Sequence, residues 1–181
     1  MEINNTGFWI GDATIQHKHD PQLADALAKL FRNSTVYDLG CGEGKYVKHF
    51  NDQGDIDALG FDGNPLTDKY TFCMTFDITK SMNLPKNNWV LSLEVGEHIP
   101  KELMSQYIDN LKNLSEDGIV LSWAVPGQGG DGHVNELPNE DVIALFPEYD
   151  YDIETSLYLR SKATLWWFKS TIMVFKKKHN G

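Results

Sequence analysis

Cysteine is scarce in this sequence: Cys41 and Cys73 are the whole supply. Two cysteines make neither a disulfide framework nor a four-ligand zinc site, so a reducing, cytoplasmic setting is expected. Long apolar runs are also missing. No stretch approaches the ~18 residues needed to cross a bilayer, and Met1-Glu2-Ile3-Asn4-Asn5 lacks the basic and apolar regions of a secretion signal, so no membrane partner is expected. Positive charge is in deficit, with 16 Lys and Arg against 26 Asp and Glu and a formal net charge of −10. Such a surface repels phosphate backbones, which disfavours nucleic acid as a partner. The cluster Lys176-Lys177-Lys178 reads as a solvated tail after the last strand. Repeats and Pro/Gly/Ser linkers are absent. The 181 residues therefore suit one domain over 1–181, with 1–19 as an N-terminal segment and candidate lid. Oligomeric state is left open.

What is present is an alternation of short apolar runs and helical stretches punctuated by Gly and Pro, the pattern of an α/β sheet. Leu23, Ala26, Leu27 and Leu30 predict a helix over 21–31, with Asp20 as its cap and Pro21 at its first position. Strands are predicted at 35–39, 56–61, 70–76, 89–93 and 118–125, and further helices at 45–50, 100–114 and 139–146. Two late strands are expected near 151–159 and 165–175. The short 162–164 connection makes them antiparallel neighbours. The crossovers at 63–69 and 77–88 are too short or too polar for full helices. Trp166, Trp167 and Phe168 read as core or interface residues of the last strand, and Trp123 as core or pocket wall.

The first strand runs into Asp38-Leu39-Gly40-Cys41-Gly42-Glu43-Gly44. Glycines at alternate positions allow a tight turn and a close approach of backbone to ligand, and free N–H groups at the following helix start are expected to hold an anion. The second strand, Ile56-Asp57-Ala58-Leu59-Gly60-Phe61-Asp62, ends in a carboxylate suited to a ribose diol. Cys41 reads as a small spacer rather than a reactive thiol.

This stretch resembles the first two motifs of the class I S-adenosylmethionine-dependent methyltransferases. Dinucleotide dehydrogenases instead carry G-x-G-x-x-G without the leading aspartate. The resemblance runs from about Pro21 to Phe175. It implies a Rossmann-like, doubly wound, mostly parallel seven-stranded sheet with a C-terminal antiparallel strand, order 3-2-1-4-5-7-6. It implies S-adenosylmethionine as cofactor, held by Asp38, Gly40, Cys41, Gly42 and Gly44 at its methionine end and by Asp62 at the ribose. Phe76-Asp77-Ile78 is similar to the third motif and puts Asp77 at the adenine. Glu94 completes the candidate cofactor set.

After the fourth strand comes Ser92-Leu93-Glu94-Val95-Gly96-Glu97-His98-Ile99-Pro100. In open α/β sheets ligands sit beyond the strands' carboxyl ends, so this segment should face the reacting methyl. One helical turn would bring Glu94 onto the face of Glu97 or His98. The loop Pro126-Gly127-Gln128-Gly129-Gly130-Asp131-Gly132-His133 can bend over the same place. Glu94, Glu97, His98 and His133 suit a divalent ion such as Mg or Mn with open positions. They also resemble the metal-binding E-x-x-E-H plus distal His of small-RNA 2′-O-methyltransferases and the E-x-x-E-H segment of quinone-biosynthesis O-methyltransferases. Other roles stand beside this one: Glu94 bonding the glycine loop, Glu97 capping a helix, His98 as a metal-free general base or a packed side chain. Glu97, His98 and His133 are the candidate catalytic residues. The expected activity is methyl transfer from S-adenosylmethionine to an oxygen or nitrogen of a small molecule. The rival is a noncatalytic cofactor-binding module. Trp9, His17 and His19 precede the first helix, where the substrate would be covered.

Overall fold

The computed structural model describes residues 2–12 and 17–178, so part of the expected lid and both ends of the expected domain lie outside the described residues. The chain opens with a small hairpin, β1 (Glu2–Ile3) and β2 (Trp9–Ile10). Its turn contains Gly7 at φ 104°, and a Cβ there would collide with the carbonyl of His98. Only glycine seats the hairpin this close to the 96–99 backbone.

Helix α1 (Pro21–Leu30) starts as the sequence predicts, with Asp20 Oδ1 accepting from the Leu23 amide at 3.2 Å. Asp20 does more than cap. It is fully buried, and its Oδ2 accepts from the amides of Thr164 (2.6 Å) and Leu165 (2.9 Å), tying the start of α1 to a distant loop. Burial pushes its carboxyl up, but these amide bonds outweigh burial and hold it below the usual range. The stability it supplies is therefore present above the unfolded pKa of 3.8 and lost as pH falls through the folded value. Asp20→Ala strands three N–H groups and should cost about 2–4 kcal/mol in urea denaturation at pH 7. That deficit should shrink at acid pH.

Strand β3 (Thr35–Leu39) leads through the glycine loop to α2 (Lys45–Asn51), then β4 (Asp57–Asp62), β5 (Cys73–Thr75) and β6 (Asn87–Leu93). Helix α3 (Met104–Leu114), β7 (Ser115–Ser122), α4 (Asn139–Ala144), β8 (Tyr149–Tyr151), α5 (Ile153–Lys162), α6 (Phe168–Thr171) and β9 (Met173–Lys177) follow. The sheet order is β5-β4-β3-β6-β7-β9-β8, which is 3-2-1-4-5-7-6 when strands are counted from β3. Within this sheet β9 alone runs against the direction of the other six strands. The central strands are buried on both faces, as parallel strands covered by helices must be. Leu27, Phe31, Phe50, Trp89 and Leu159 pack on one face, and Tyr107, Leu111, Trp123, Phe146 and Phe175 on the other.

The C-terminal part departs from expectation. β8 and β9 are antiparallel neighbours, but residues 153–162 form helix α5 rather than a strand. Asp152 starts that helix, with Oδ1 accepting from the Thr155 amide (3.0 Å) and Oδ2 from the Thr155 hydroxyl (2.7 Å). The cap was present in the sequence, but exposed Ile153, Leu157 and Tyr158 blur the helical period. Lys176 and Lys177 lie within β9 rather than in a tail, Lys176 pairing with Asp152 at 2.7 Å. Trp166 and Trp167 precede α6 and Phe168 begins it, so none lies on the last strand. The thin crossovers hold: 63–69 contains a single 3-10 turn and 77–86 no helix.

Candidate cofactor cleft and metal cluster

Strand order reverses direction between β3 and β6, and the cavity lies there, beyond the strands' carboxyl ends. It encloses about 390 Å³ and is lined by the glycine loop, Asp62, Asp77, Glu94, His98, His133 and the first hairpin. Asp38 is wholly enclosed at the end of β3, where burial, reinforced by the charge of Asp62, pushes its carboxyl up to about 8. Asp62 folds the loop together. Its Oδ2 accepts from the Gly42 amide (2.9 Å) and its Oδ1 from the Asn64 amide (2.8 Å). Each oxygen keeps lone-pair capacity for a diol. Asp77 Oδ1 accepts from the amide and hydroxyl of Thr79 (3.0 and 2.6 Å), and Thr6 Oγ1 reaches Oδ2 at 3.4 Å.

The glycine loop is closed largely by its own amides. The amides of Gly40 and Cys41 both donate to the Phe61 carbonyl, that of Gly42 to Asp62, and that of Gly44 to the Cys41 carbonyl. These four donors are spent on closing the turn; the amides at the start of α2, where the sequence places an anion, are not among them. Cys41 lines the cavity, its thiol hydrogen-bonded to that of Cys73, and this contact together with burial pushes it well above the usual thiol range.

Beyond β6, Gly96–His98 form one 3-10 turn. Glu97, His98 and His133 converge, offering ligand atoms within 4.8 Å of one another. The imidazoles meet edge to face with centroids 4.9 Å apart. His98 Nδ1 lies 3.3 Å from the Gly132 carbonyl, which can only accept, so Nδ1 carries the proton and Nε2 keeps its lone pair. His133 Nδ1 faces Glu136 Oε1 at 3.0 Å and is committed the same way. Burial, with His133 alongside, lowers His98 to about 4, so the ring is neutral at physiological pH. Glu97 is fully buried and neither carboxylate oxygen has a partner. Burial, then the charge of Glu94, raises its carboxyl well above the usual range. Two imidazoles, each oriented through Nδ1, and an orphaned carboxylate are the donor set a divalent ion takes.

Glu94 stands apart from this cluster. It sits at φ 54°, and its Oε2 accepts from Gln128 Nε2 at 2.8 Å. A single turn does not carry it onto the face of Glu97, because that turn begins only at Gly96. Trp123 is fully buried and donates Nε1–H to the Asn135 carbonyl at 2.6 Å, which makes it core. Trp9 stands edge-on to His98 at 6.1 Å, and Trp166 and Trp167 form part of the cavity wall. His19 instead packs against Tyr46.

Two features escaped the sequence. Glu136 accepts from the amides of Gly127 (2.8 Å) and Gly129 (3.0 Å) as well as facing His133, so one carboxylate holds the glycine-rich loop and orients a ring. Its three-residue spacing from His133 was the only clue. Phe8 lies directly on Gly63, beside Asp62, and no local pattern marks it.

No family model and no curated protein matches this chain. Solved structures do. A TehB-like SAM-dependent methyltransferase from Corynebacterium glutamicum matches with TM-score 0.67 at 17% identity, covering 92% of each chain. The 1,6-didemethyltoxoflavin-N1-methyltransferase of Burkholderia thailandensis, solved with 1,6-didemethyltoxoflavin and S-adenosylhomocysteine bound, matches with TM-score 0.61 at 16% identity over 88% of this chain and 77% of that one. A small RNA methyltransferase matches with TM-score 0.63 at 16% identity, over 89% of this chain and 25% of that one. The chain thus has the class I methyltransferase fold.

Proposed function

We propose that this chain, as a single domain, transfers a methyl group from S-adenosylmethionine to an oxygen or nitrogen of a small molecule, assisted by a divalent ion. The observation that carries the reading is the junction of two sites in one cavity: the loop closed by Asp62 and the cluster of Glu97, His98 and His133. Asp62 has spare acceptor capacity for the ribose, Asp38 stands at the methionine end, and Asp77 with Phe8 borders the adenine end. Glu97 and the two Nε2 atoms would hold the ion, whose Lewis acidity lowers the pKa of an acceptor hydroxyl. Glu136 and the Gly132 carbonyl fix the imidazoles. Trp9, Trp166 and Trp167 border the entrance and restrict how a flat acceptor approaches. The acidic balance of the chain favours a small acceptor over a polyanion.

The test is methyl transfer from labelled S-adenosylmethionine to a panel of small phenols, diols and amines, with Mg²⁺ or Mn²⁺ and with EDTA. Turnover that EDTA abolishes and Mn²⁺ restores is expected. Binding of S-adenosylhomocysteine with no acceptor methylated would overturn the enzyme reading in favour of a cofactor-binding module.

A further inference from the structure

The cavity has a charge imbalance. Asp38, Asp62, Asp77, Glu94 and Asp131 line it, and Lys18 is the only lysine or arginine among the lining residues. The amino-acid end of S-adenosylmethionine carries an ammonium and a carboxylate. The ammonium has Asp38 and Glu94 to meet. The carboxylate has no counterpart on the sheet. The amides of Gly40, Cys41, Gly42 and Gly44 are spent within the chain, and α2, begun by Gly44 in the left-handed conformation, is only two turns long. His98 and His133 are committed to the metal cluster through their second nitrogens.

His17 and Lys18 remain. Both come from the segment before α1 and both line the cavity. The His17 ring lies on Gly42, where a Cβ would fall 2.5 Å from Nδ1; glycine at φ 56° is what lets the ring rest there. Nδ1 is buried without a hydrogen-bond partner. The residue is held in place by its own carbonyl, which accepts from Lys45 Nζ at 3.2 Å. Lys45 also pairs with Glu43 at 2.6 Å, so its charge is already matched. An imidazole laid on the glycine loop, a lysine and an acid-lined cleft facing a zwitterion make a complementary set.

We infer that His17 and Lys18 form the carboxylate pole of the cofactor cleft, the imidazole donating a hydrogen bond and the lysine supplying charge to the amino-acid end of the ligand. The inference rests on the S-adenosylmethionine reading. It gives a segment outside the sheet a part in recognising that end.

Calorimetric titration with two ligands tests it: S-adenosylhomocysteine, and 5′-methylthioadenosine, which keeps the nucleoside thioether and lacks the amino acid. In His17→Ala the affinity for S-adenosylhomocysteine should fall about tenfold or more, as for loss of a hydrogen bond to a charged group. The affinity for methylthioadenosine should stay unchanged. Lys18→Ala should show the same selectivity, and His17→Gln, which restores an N–H donor, should recover part of the loss. An unchanged affinity of both alanine variants for S-adenosylhomocysteine overturns the inference and leaves the cofactor reading standing. An equal loss for both ligands also overturns it, because the segment would then only support the cleft. A folded wild type that binds neither ligand overturns the cofactor reading and this inference together.

Discussion

Glu97→Gln should make the protein more stable and, if the ion sits where proposed, unable to use it. The wild-type carboxyl is buried with two orphaned oxygens, and burial with the charge of Glu94 favours its protonated form in the metal-free fold. Its folded pKa lies above its unfolded value of 4.5. A group raised in this way gives its full contribution below the unfolded pKa and loses it as pH rises toward the folded one. The amide carries no such dependence. In EDTA the variant should therefore match the wild type near pH 4 and exceed it at pH 8, by roughly 1 kcal/mol or more, or about 2–4 °C in Tm for a chain of this size. His98, lowered to about 4, is common to both proteins and cancels in the comparison. Mn²⁺ should then separate them in the opposite sense. It should raise the Tm of the wild type and leave the variant unmoved, and metal-dependent turnover should fall by orders of magnitude. A variant less stable than wild type at pH 8 in EDTA would show that the carboxylate has a partner in the fold. Equal stabilisation of both proteins by Mn²⁺ would remove Glu97 from the ligand set.

Asp62→Ala should weaken S-adenosylhomocysteine binding by about 1.5–3 kcal/mol, roughly ten- to a hundredfold, measured by calorimetry. Two losses combine: the acceptor for the ribose, and the clamp on the Gly42 and Asn64 amides that shapes the loop. Asp62→Asn separates them. Its carbonyl oxygen can keep one amide bond while the second acceptor becomes a donor, so its loss should be smaller. Equal affinity of Asp62→Ala and wild type would exclude Asp62 from the cofactor site.

The sequence made the sheet and the glycine loop legible because both are written in short-range pattern. Central strands such as Trp89–Leu93 are apolar but for Ser92, and Asp38 to Gly44 compresses a turn, two acids and three glycines into seven positions. Asp62 followed from its place at the end of the next strand. What escaped depends on contacts across the chain. Helix α5 was misread because the apolar residues that set its apparent period face outward. Glu94 was grouped with Glu97 because spacing does not reveal that the chain passes through the left-handed region between β6 and the 3-10 turn. Phe8 and His17 act through segments that meet only in the fold, and Glu136 through a turn that folds 127–133 back onto its carboxylate.

The position of β9 has a consequence for how the molecule is made. It is the last strand in sequence, yet it lies between β7 and β8 and carries ladder bonds on both sides. During synthesis the open edge of β7 must wait for residues 173–177 to emerge, and β8 has no place in the sheet until they do. A nascent chain halted before Met173 would display the run Ile119-Val120-Leu121 on an unpaired edge, the kind of template on which chains stack upon one another. Completion of the sheet and protection from aggregation thus arrive in one step, with the emergence of residues 173–177.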